Sequence, residues 1–243
     1  RLPTGLRHWL GRAQPQGELS EVEATGEDTR LLTLSANARG LGFKPVGDAP
    51  GFSGVSGKLQ GGGDALSLEF DAASKMVFDW PRGFGVPHPI TARGVVSLWR
   101  EGTGLRFGTD NLHIDGEGYR ADARGGLWFQ NDGTLPWIDI AAQLGEADVP
   151  VARKFWIRHL MPPQAIEWLD MALVDGRVKN GRAIITGDLD DWPFTGNNGR
   201  FEARADIDNG QLRFQHDWPA IQQARLHAAF IGPGMKVQGS GEL

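Results

Sequence analysis

The chain has 243 residues and a formal net charge of −5, and 35 of its residues are glycine, about twice the roughly 7% share usual in proteins. Because glycine is unfavourable inside helices and common in turns and bulges, an all-helical protein is excluded. The absence of cysteine excludes disulfides, thiolate metal sites and a cysteine nucleophile, and the negative charge without basic clusters argues against a nucleic-acid partner.

The predicted elements begin with a short helix over 5–13, which Gly5 and Gly11 weaken. Strands follow, because apolar and polar residues alternate with a period of two, as in residues 32–38. Each such strand has one apolar and one polar face, which is typical of antiparallel sheets with one side in water. The apolar positions singled out in this half of the chain are Leu32, Leu34, Leu66, Leu68, Ile138 and Ile140.

Two further helices are predicted in the second half, a short one over 151–158 and a longer one over 163–174. Pro163 suits the first turn of the longer helix, and Gly176 lies just past its end. This helix is apolar over most of its circumference, so we expect it to pack on the apolar sheet face, as a plug or as a gate. Its apolar residues include Ile166, Trp168, Leu169 and Leu173.

Alternating strands resume near residue 200, and Asn209-Gly210 is predicted to form a type I′ hairpin turn between two of them. The whole pattern predicts about 14 strands, mostly joined to their sequence neighbours. At about 4.8 Å per strand, one sheet of this size would extend about 65 Å. The apolar positions singled out in this part are Phe201, Ala203, Ile207, Leu212, Phe214, Leu226 and Phe230.

An internal repeat relates the first predicted helix to the long one. The aligned identities are Pro3 with Pro162, Trp9 with Trp168, Leu10 with Leu169, Ala13 with Ala172, and Gly17 with Gly176. We therefore expect one repeat unit over 1–148 and the start of the next over 149–243, in one continuous array. The chain is accordingly expected to be a fragment of a longer protein.

The most specific motif lies within residues 154–194. It combines Trp168-Leu169-Asp170 in the long helix with Asp191-Trp192-Pro193-Phe194 after the following strand. Between them stand Gly176, Val178, Gly181, Gly187 and Leu189. Together with residues 6–26 and 50–54, this motif resembles the YhdP family of periplasmic AsmA-like proteins.

The resemblance implies a bridge-like protein anchored in the inner membrane of a Gram-negative bacterium, with an elongated, curved antiparallel sheet shaped like a taco. It implies that an apolar groove shields glycerophospholipid on the way to the outer membrane, without enzymatic activity or a cofactor. The fold expected is mainly β, with short helices on or in the groove, and the apolar strand positions named above are expected to line it. Composition alone favours a sandwich, in which a second sheet covers the same face.

Other functions find weaker support in the sequence. The six histidines are dispersed, without the spacing of a metal site. Asp188, Asp190 and Asp191 are interpreted as a polar turn rather than as glycosidase acids or calcium ligands. Arg153, Lys154 and Arg158 either attract lipid phosphate or form the solvated face of a short helix. An assembly scaffold that binds outer-membrane proteins or envelope polymers is the alternative function, and a carbohydrate-binding protein that uses the nine tryptophans is a third.

Overall fold

A computed structural model of the chain describes residues 4–27 and 30–242. Strands make up 64% of the structure, and all of them belong to one antiparallel sheet of 14 strands. The prediction of a mainly β chain with an antiparallel sheet and few short helices is therefore confirmed.

The strands are β1 (Gln16–Glu27), β2 (Arg30–Phe43), β3 (Gly51–Gly62), β4 (Ala65–Phe70), β5 (Met76–Asp79), β6 (Pro87–Glu101), β7 (Gly104–Gly116), β8 (Tyr119–Phe129), β9 (Trp137–Leu144), β10 (Ala147–Asp148), β11 (Leu173–Asp188), β12 (Gly199–Leu212), β13 (Ile221–Ile231) and β14 (Gly234–Glu242). The helices are α1 (Thr4–Ala13), α2 (Val149–Ala152) and α3 (Pro163–Ala172). Single 3-10 turns occur at Arg153–Phe155, Arg158–Leu160 and Leu189–Asp191.

The sheet is a meander in which nearly every strand pairs with its sequence neighbours. Two short strands do not add to its length: β5 shares with β4 the position between β3 and β6, and β10 pairs only with β11. The remaining path has 12 strands, so the sheet extends about 53 Å rather than the expected 65 Å.

Three predicted elements differ in the structure. The helix expected over 151–158 is broken into α2 and two 3-10 turns, because Trp156 adopts an extended backbone conformation. The helix expected over 163–174 ends at Ala172, and Leu173 is the first residue of β11, where it pairs with Leu212. Asn209-Gly210 is not a hairpin turn: both residues lie inside β12, at a register shift where Asn209 has a φ of +49°.

The two helices of the predicted repeat are followed by the same local arrangement. The backbone N–H of Lys44 donates to the carbonyl of Ala13 at 2.7 Å, and that of Arg213 donates to Ala172 at 2.9 Å. Gly17 and Gly176 lie near the starts of the strands that follow the two helices. Their φ values are +134° and +136°, which residues with a side chain rarely adopt. Trp9 packs edge-on against Phe43 with ring centroids 5.3 Å apart, and Trp168 packs against Phe214 at 5.9 Å. The aligned Pro3 lies outside the described residues.

The buried core is small for a chain of this length. Its centre is a cluster of Val149, Val178 and Ile207, with five partly buried apolar neighbours. Val149 is the only large side chain in the described residues that is almost completely buried, with 1% of its surface exposed. The fold therefore depends on the continuity of one sheet more than on a thick core.

Candidate functional site

Cross-strand register separates the sheet into two chemically different faces. Directly paired residues point to the same face, and successive residues point to opposite faces. Across β8, β9, β11 and β12, one row of partners consists of Ala123, Ala142, Ala183 and Ala203. The adjacent row on the other face consists of Asp122, Gln143, Arg182 and Arg204. We call these the apolar face and the polar face.

The apolar face is continuous over most of the sheet. A single row of direct partners begins at Leu34 on β2 and ends at Ile138 on β9. Between them it passes through Gly61, Leu66, Leu98, Phe107 and Leu127. No break in this row reverses the faces, so the first and last strands of the row present apolar residues to the same side.

Most of the predicted groove residues lie together on the apolar face, although their contact with a ligand stays a prediction. Cross-strand register and strand alternation place there Leu34, Leu66, Leu68, Ile138, Ile140, Phe201, Ala203, Ile207, Leu226 and Phe230. Leu32 falls at an irregularity of β2 and is 48% exposed. Leu212 is buried beyond the bulge in β12, and Phe214 lies after the end of that strand.

The apolar face is open near one end of its strands. The side chains of Leu98, Leu105, Phe107 and Phe129 are 38–47% exposed there, although all four are large and apolar. Because all 14 strands belong to one sheet, no second sheet covers this face within residues 4–27 and 30–242. The sandwich interpretation of the sequence is therefore wrong for the described part of the chain.

Small side chains form a shallow gutter along the middle of the apolar face. Its floor is the row of four alanines across β8, β9, β11 and β12, which spans three strand spacings, or about 14 Å. The paired Ile140 and Ile185 stand on one side of this row, and Leu144 and Ile207 stand on the other. The gutter runs across the strands, which is the direction in which the sheet extends.

The other end of the apolar face is covered by the segment 149–160. Val149 of α2 packs on Val178 and Ile207, so Ile207 is itself covered and only 6% exposed. Farther along, the ring of Phe155 lies 4.8 Å from that of Tyr119, and Arg158 N–H donates to the carbonyl of Gly83. The segment thus crosses the sheet from β11 towards β6.

Two charged residues of this segment, Arg153 and Lys154, contact other parts of the chain. Lys154 pairs with Glu117 at 3.3 Å, and one guanidinium nitrogen of Arg153 donates to the carbonyl of Val174. These contacts favour a structural role for both side chains over a site for lipid phosphate.

Helix α3 lies beside this segment and buries part of its apolar surface. Ile166 and Leu169 are 8% and 5% exposed, and the indole N–H of Trp168 donates to the carbonyl of Phe214 at 3.2 Å. The indole N–H of Trp156 donates to Asp170, which joins the helix to the preceding segment. Whether the helix contacts a ligand stays a prediction.

A second cover, which the sequence reasoning did not assign, lies over β11 and β12. Phe194 is buried, and its ring occupies the space that side chains would fill at Gly187 and Gly199. Trp192 packs edge-on against Phe201, with ring centroids 5.2 Å apart. Phe194 lies between these two glycines in the chain, and its ring fits over both because neither strand position has a side chain.

Two titratable groups are perturbed beneath the segment 149–160. Burial lowers the pKa of His88, and the nearby charge of Lys154 lowers it further, so the fold favours the neutral form of the ring. Burial also raises the pKa of the Tyr119 hydroxyl. The rings of Phe84 and Phe155 lie 5.2 Å and 5.1 Å from that of His88, and its buried Nε2 has no hydrogen-bond partner among the residues that the structure describes.

The polar face carries two open depressions, each of about 620 Å³. No group of three or more metal-binding side chains occurs in the described residues. Within the same residues, no helix has the length and hydropathy required to cross a membrane.

Comparison of the sequence with known proteins identifies a matching protein family. A family model described as "YhdP protein" matches residues 1–241. The chain is 25% identical over 235 residues to the "Intermembrane phospholipid transporter YhdP" of Escherichia coli (strain K12). The match covers 94% of this chain but only 18% of that relative, so the chain spans less than a fifth of its length. No solved structure matches the chain.

Proposed function

Because the chain belongs to the YhdP family, we propose that it is a segment of a periplasmic bridge that carries phospholipid between the inner and outer membranes. Its apolar face shields the acyl chains, and the headgroups remain in water at the open end of the strands. The segment acts by binding alone, without catalysis or a cofactor. The named relative, described as an intermembrane phospholipid transporter, supports the choice of phospholipid as ligand.

The observation that carries the proposal is the uncovered apolar face of a single sheet. The chain exposes 15247 Å² of surface, whereas a compact protein of its mass, 26.4 kDa, exposes about 10,600 Å². Exposed apolar patches beyond a few hundred Å² mark a binding surface in soluble proteins. The surface that this sheet leaves uncovered is therefore available to a ligand that is itself apolar and elongated.

The energetic requirement of lipid transfer matches this surface. Each methylene group of an acyl chain that is exposed to water costs about 0.8 kcal/mol, so a whole chain in water costs on the order of 10 kcal/mol. An apolar path that is continuous from β2 to β9 removes this cost step by step. A smooth path also avoids deep binding sites that would trap the lipid.

We propose that the arrangement α1–β1–β2 is repeated as α3–β11–β12, so that the units 1–148 and 149–243 form one array. The shared backbone contacts after α1 and α3 support this division. In this proposal the segment 149–172 marks the start of a unit and narrows the groove at that point. Phospholipid that passes the junction runs along the alanine gutter, between the two covers.

Native mass spectrometry of the purified 243-residue chain tests this function. Co-purified phospholipid, released by organic extraction and identified by its headgroup, is the expected result. A chain that carries no lipid, binds none from vesicles and instead binds unfolded peptides from outer-membrane barrels would contradict the proposal and favour an assembly scaffold.

A further inference from the structure

The two ends of the strands give the apolar face two chemically different edges. At one edge, Phe43, Phe52, Phe78 and His88 are direct partners on β2, β3, β5 and β6. The ring centroids are 5.8 Å apart between Phe43 and Phe52 and 5.0 Å apart between Phe52 and Phe78. The ring of Phe155, which lies 5.1 Å from that of His88, continues the row. We call this side the aromatic edge, and its packed rings form a wall at that end of the apolar face.

The opposite edge, where the apolar face is open, carries a pair of charges. Arg100 follows Leu98 by two residues on β6, so strand alternation places it on the apolar face. Its direct partner Leu105 is exposed, and so is Phe129, the next residue of the same row. The guanidinium Nε of Arg100 lies 3.6 Å from the carboxylate of Asp64, in the turn between β3 and β4. Charge and exposed apolar surface therefore meet at this edge.

The pair formed by Arg100 and Asp64 is loose enough to open for a ligand. A contact of 3.6 Å is too long for a hydrogen bond, so neither side chain satisfies the hydrogen-bonding groups of the other. Both side chains are largely exposed, and exposed ion pairs contribute little to stability. The backbone still holds the two residues together, because the N–H of Arg100 donates to the carbonyl of Asp64 at 2.8 Å. The two charges are thus kept side by side and remain accessible.

We propose that Arg100 and Asp64 bind the headgroup of a zwitterionic phospholipid, a specificity that rests on the proposed lipid function. The phosphate of the headgroup lies at the guanidinium, whose planar array of donors matches phosphate oxygens. The ammonium group, as in phosphatidylethanolamine, donates to the carboxylate. An acidic headgroup without an ammonium group meets the same arginine but is repelled by the aspartate.

The two edges together orient the lipid on the apolar face. From a headgroup at Arg100, the acyl chains extend past Leu98 and along the strands towards the aromatic edge. The reverse orientation would place the charged headgroup against Phe52 and Phe78, where its desolvation without polar partners would be unfavourable. The open edge therefore takes the headgroup, and the walled side takes the acyl chains.

Displacement of a fluorescent phospholipid from the purified chain tests the proposal. The competitors are dioctanoyl phosphatidylethanolamine and dioctanoyl phosphatidylglycerol, which share their acyl chains and differ in the headgroup. We expect the ethanolamine lipid to bind roughly fivefold more tightly, the range that one exposed ion pair supports. Equal or weaker binding of the ethanolamine lipid would overturn the headgroup site while leaving the lipid function intact. No binding of either lipid would overturn the lipid function itself, and this site with it.

Three substitutions assign the preference to this pair of charges. Asp64→Asn keeps the shape of the side chain but removes its charge, and it should abolish the preference for ethanolamine. Arg100→Gln should weaken both lipids about threefold to fivefold, because both present a phosphate. Arg106→Gln is the matched control: Arg106 lies on the polar face of the same hairpin, paired with Glu101 at 3.1 Å.

The control variant should bind both lipids like the parent chain. An unchanged preference in Asp64→Asn would overturn the site. Equal losses in Arg100→Gln and Arg106→Gln would also overturn it, because they would show a general effect of positive charge on binding. Circular dichroism melts of all three variants control for folding.

Discussion

Ala141 and Ala142 offer the sharpest perturbation of the apolar face, because they are neighbours on β9 that point to opposite sides. Ala142 pairs with Ala123 and Ala183 in the alanine gutter, whereas Ala141 pairs with Arg124 on the polar face. Both are partly buried. An aspartate at either position therefore meets the same strand and the same backbone, but only Ala142→Asp places a carboxylate in the proposed path of lipid.

The expected loss of phospholipid affinity follows from whichever of two arrangements of lipid over that carboxylate costs less free energy. Burying the charge beneath an acyl chain costs several kcal/mol. Lifting the chain away exposes two or three methylene groups, which costs about 2 kcal/mol in total. Lifting the acyl chain costs less than burying the charge, so Ala142→Asp should weaken phospholipid binding about 30-fold.

The assay is displacement of a fluorescent phospholipid from the purified chain, measured for the parent, Ala142→Asp and Ala141→Asp. We expect Ala141→Asp to bind lipid like the parent, because its carboxylate stays hydrated beside Arg124. Circular dichroism melts of both variants control for folding. Equal affinity of the two variants would refute the assignment of the two faces to different roles.

Three further predictions concern stability. Val149→Ala removes two buried carbon atoms from the small core, so unfolding should cost about 2 kcal/mol less, and calorimetry should show a melting temperature lower by about 4–8 °C; an unchanged value would contradict the role of α2 as a cover. Gly11→Ala should raise stability by about 0.5–1 kcal/mol in urea titrations, since nothing lies within 4 Å of the added methyl group in α1; destabilisation would contradict the open position. Because the pKa of His88 is lower in the folded than in the unfolded chain, the unfolded chain binds more protons than the folded chain below about pH 6.5. The free energy of unfolding should therefore decrease as the pH is lowered below that value. His88→Phe should reduce that loss between pH 7.5 and pH 5, and an identical pH dependence would be evidence against it.

Much of the sheet was predictable because alternation reports directly on which side of a strand is apolar. The positions from Phe201 to Ile207 follow an unbroken part of β12, so period two assigns their face correctly. Bulges limit this reasoning. In β11 a register shift between Lys179 and Arg182 adds one residue, so Val178 and Gly181 share a face although they are three positions apart, an offset that would place them on opposite faces of a regular strand.

The secondary-structure predictions that are wrong concern residues whose conformation depends on contacts with distant parts of the chain. A residue pair such as Asn209-Gly210 suits any position that needs a positive φ, and whether this is a hairpin or a bulge depends on the pairing of Gly210 with Ala224. Leu173 continues an apolar helical pattern, yet its pairing with Leu212 makes it a strand residue. The helix expected over 151–158 is likewise interrupted, and the backbone N–H of Arg158 bonds to the carbonyl of Gly83, far away in the sequence, instead of continuing the helix.

The covers over the apolar face are also a tertiary property. The sequence indicates that Ile207 belongs to the apolar face, but only the fold reveals that Val149 covers it. In the sequence, Gly187 and Gly199 look like ordinary strand glycines, and only the fold shows that the ring of Phe194 lies against both. The open stretch of the face is therefore narrower than alternation alone predicts.

If phospholipid lies on only one face of the sheet, two adjacent isoleucines of β11 should differ in their contact with it. Ile185 pairs with Ile140 on the apolar face, whereas Ile184 pairs with Ala141 on the polar face and is 41% exposed. A photo-crosslinking amino acid is introduced at each position in turn, and captured phospholipid is measured after irradiation. We expect phospholipid to be captured at Ile185 and only background capture at Ile184. Equal capture at both positions, or capture at Ile184 alone, would show that phospholipid does not lie on the apolar face.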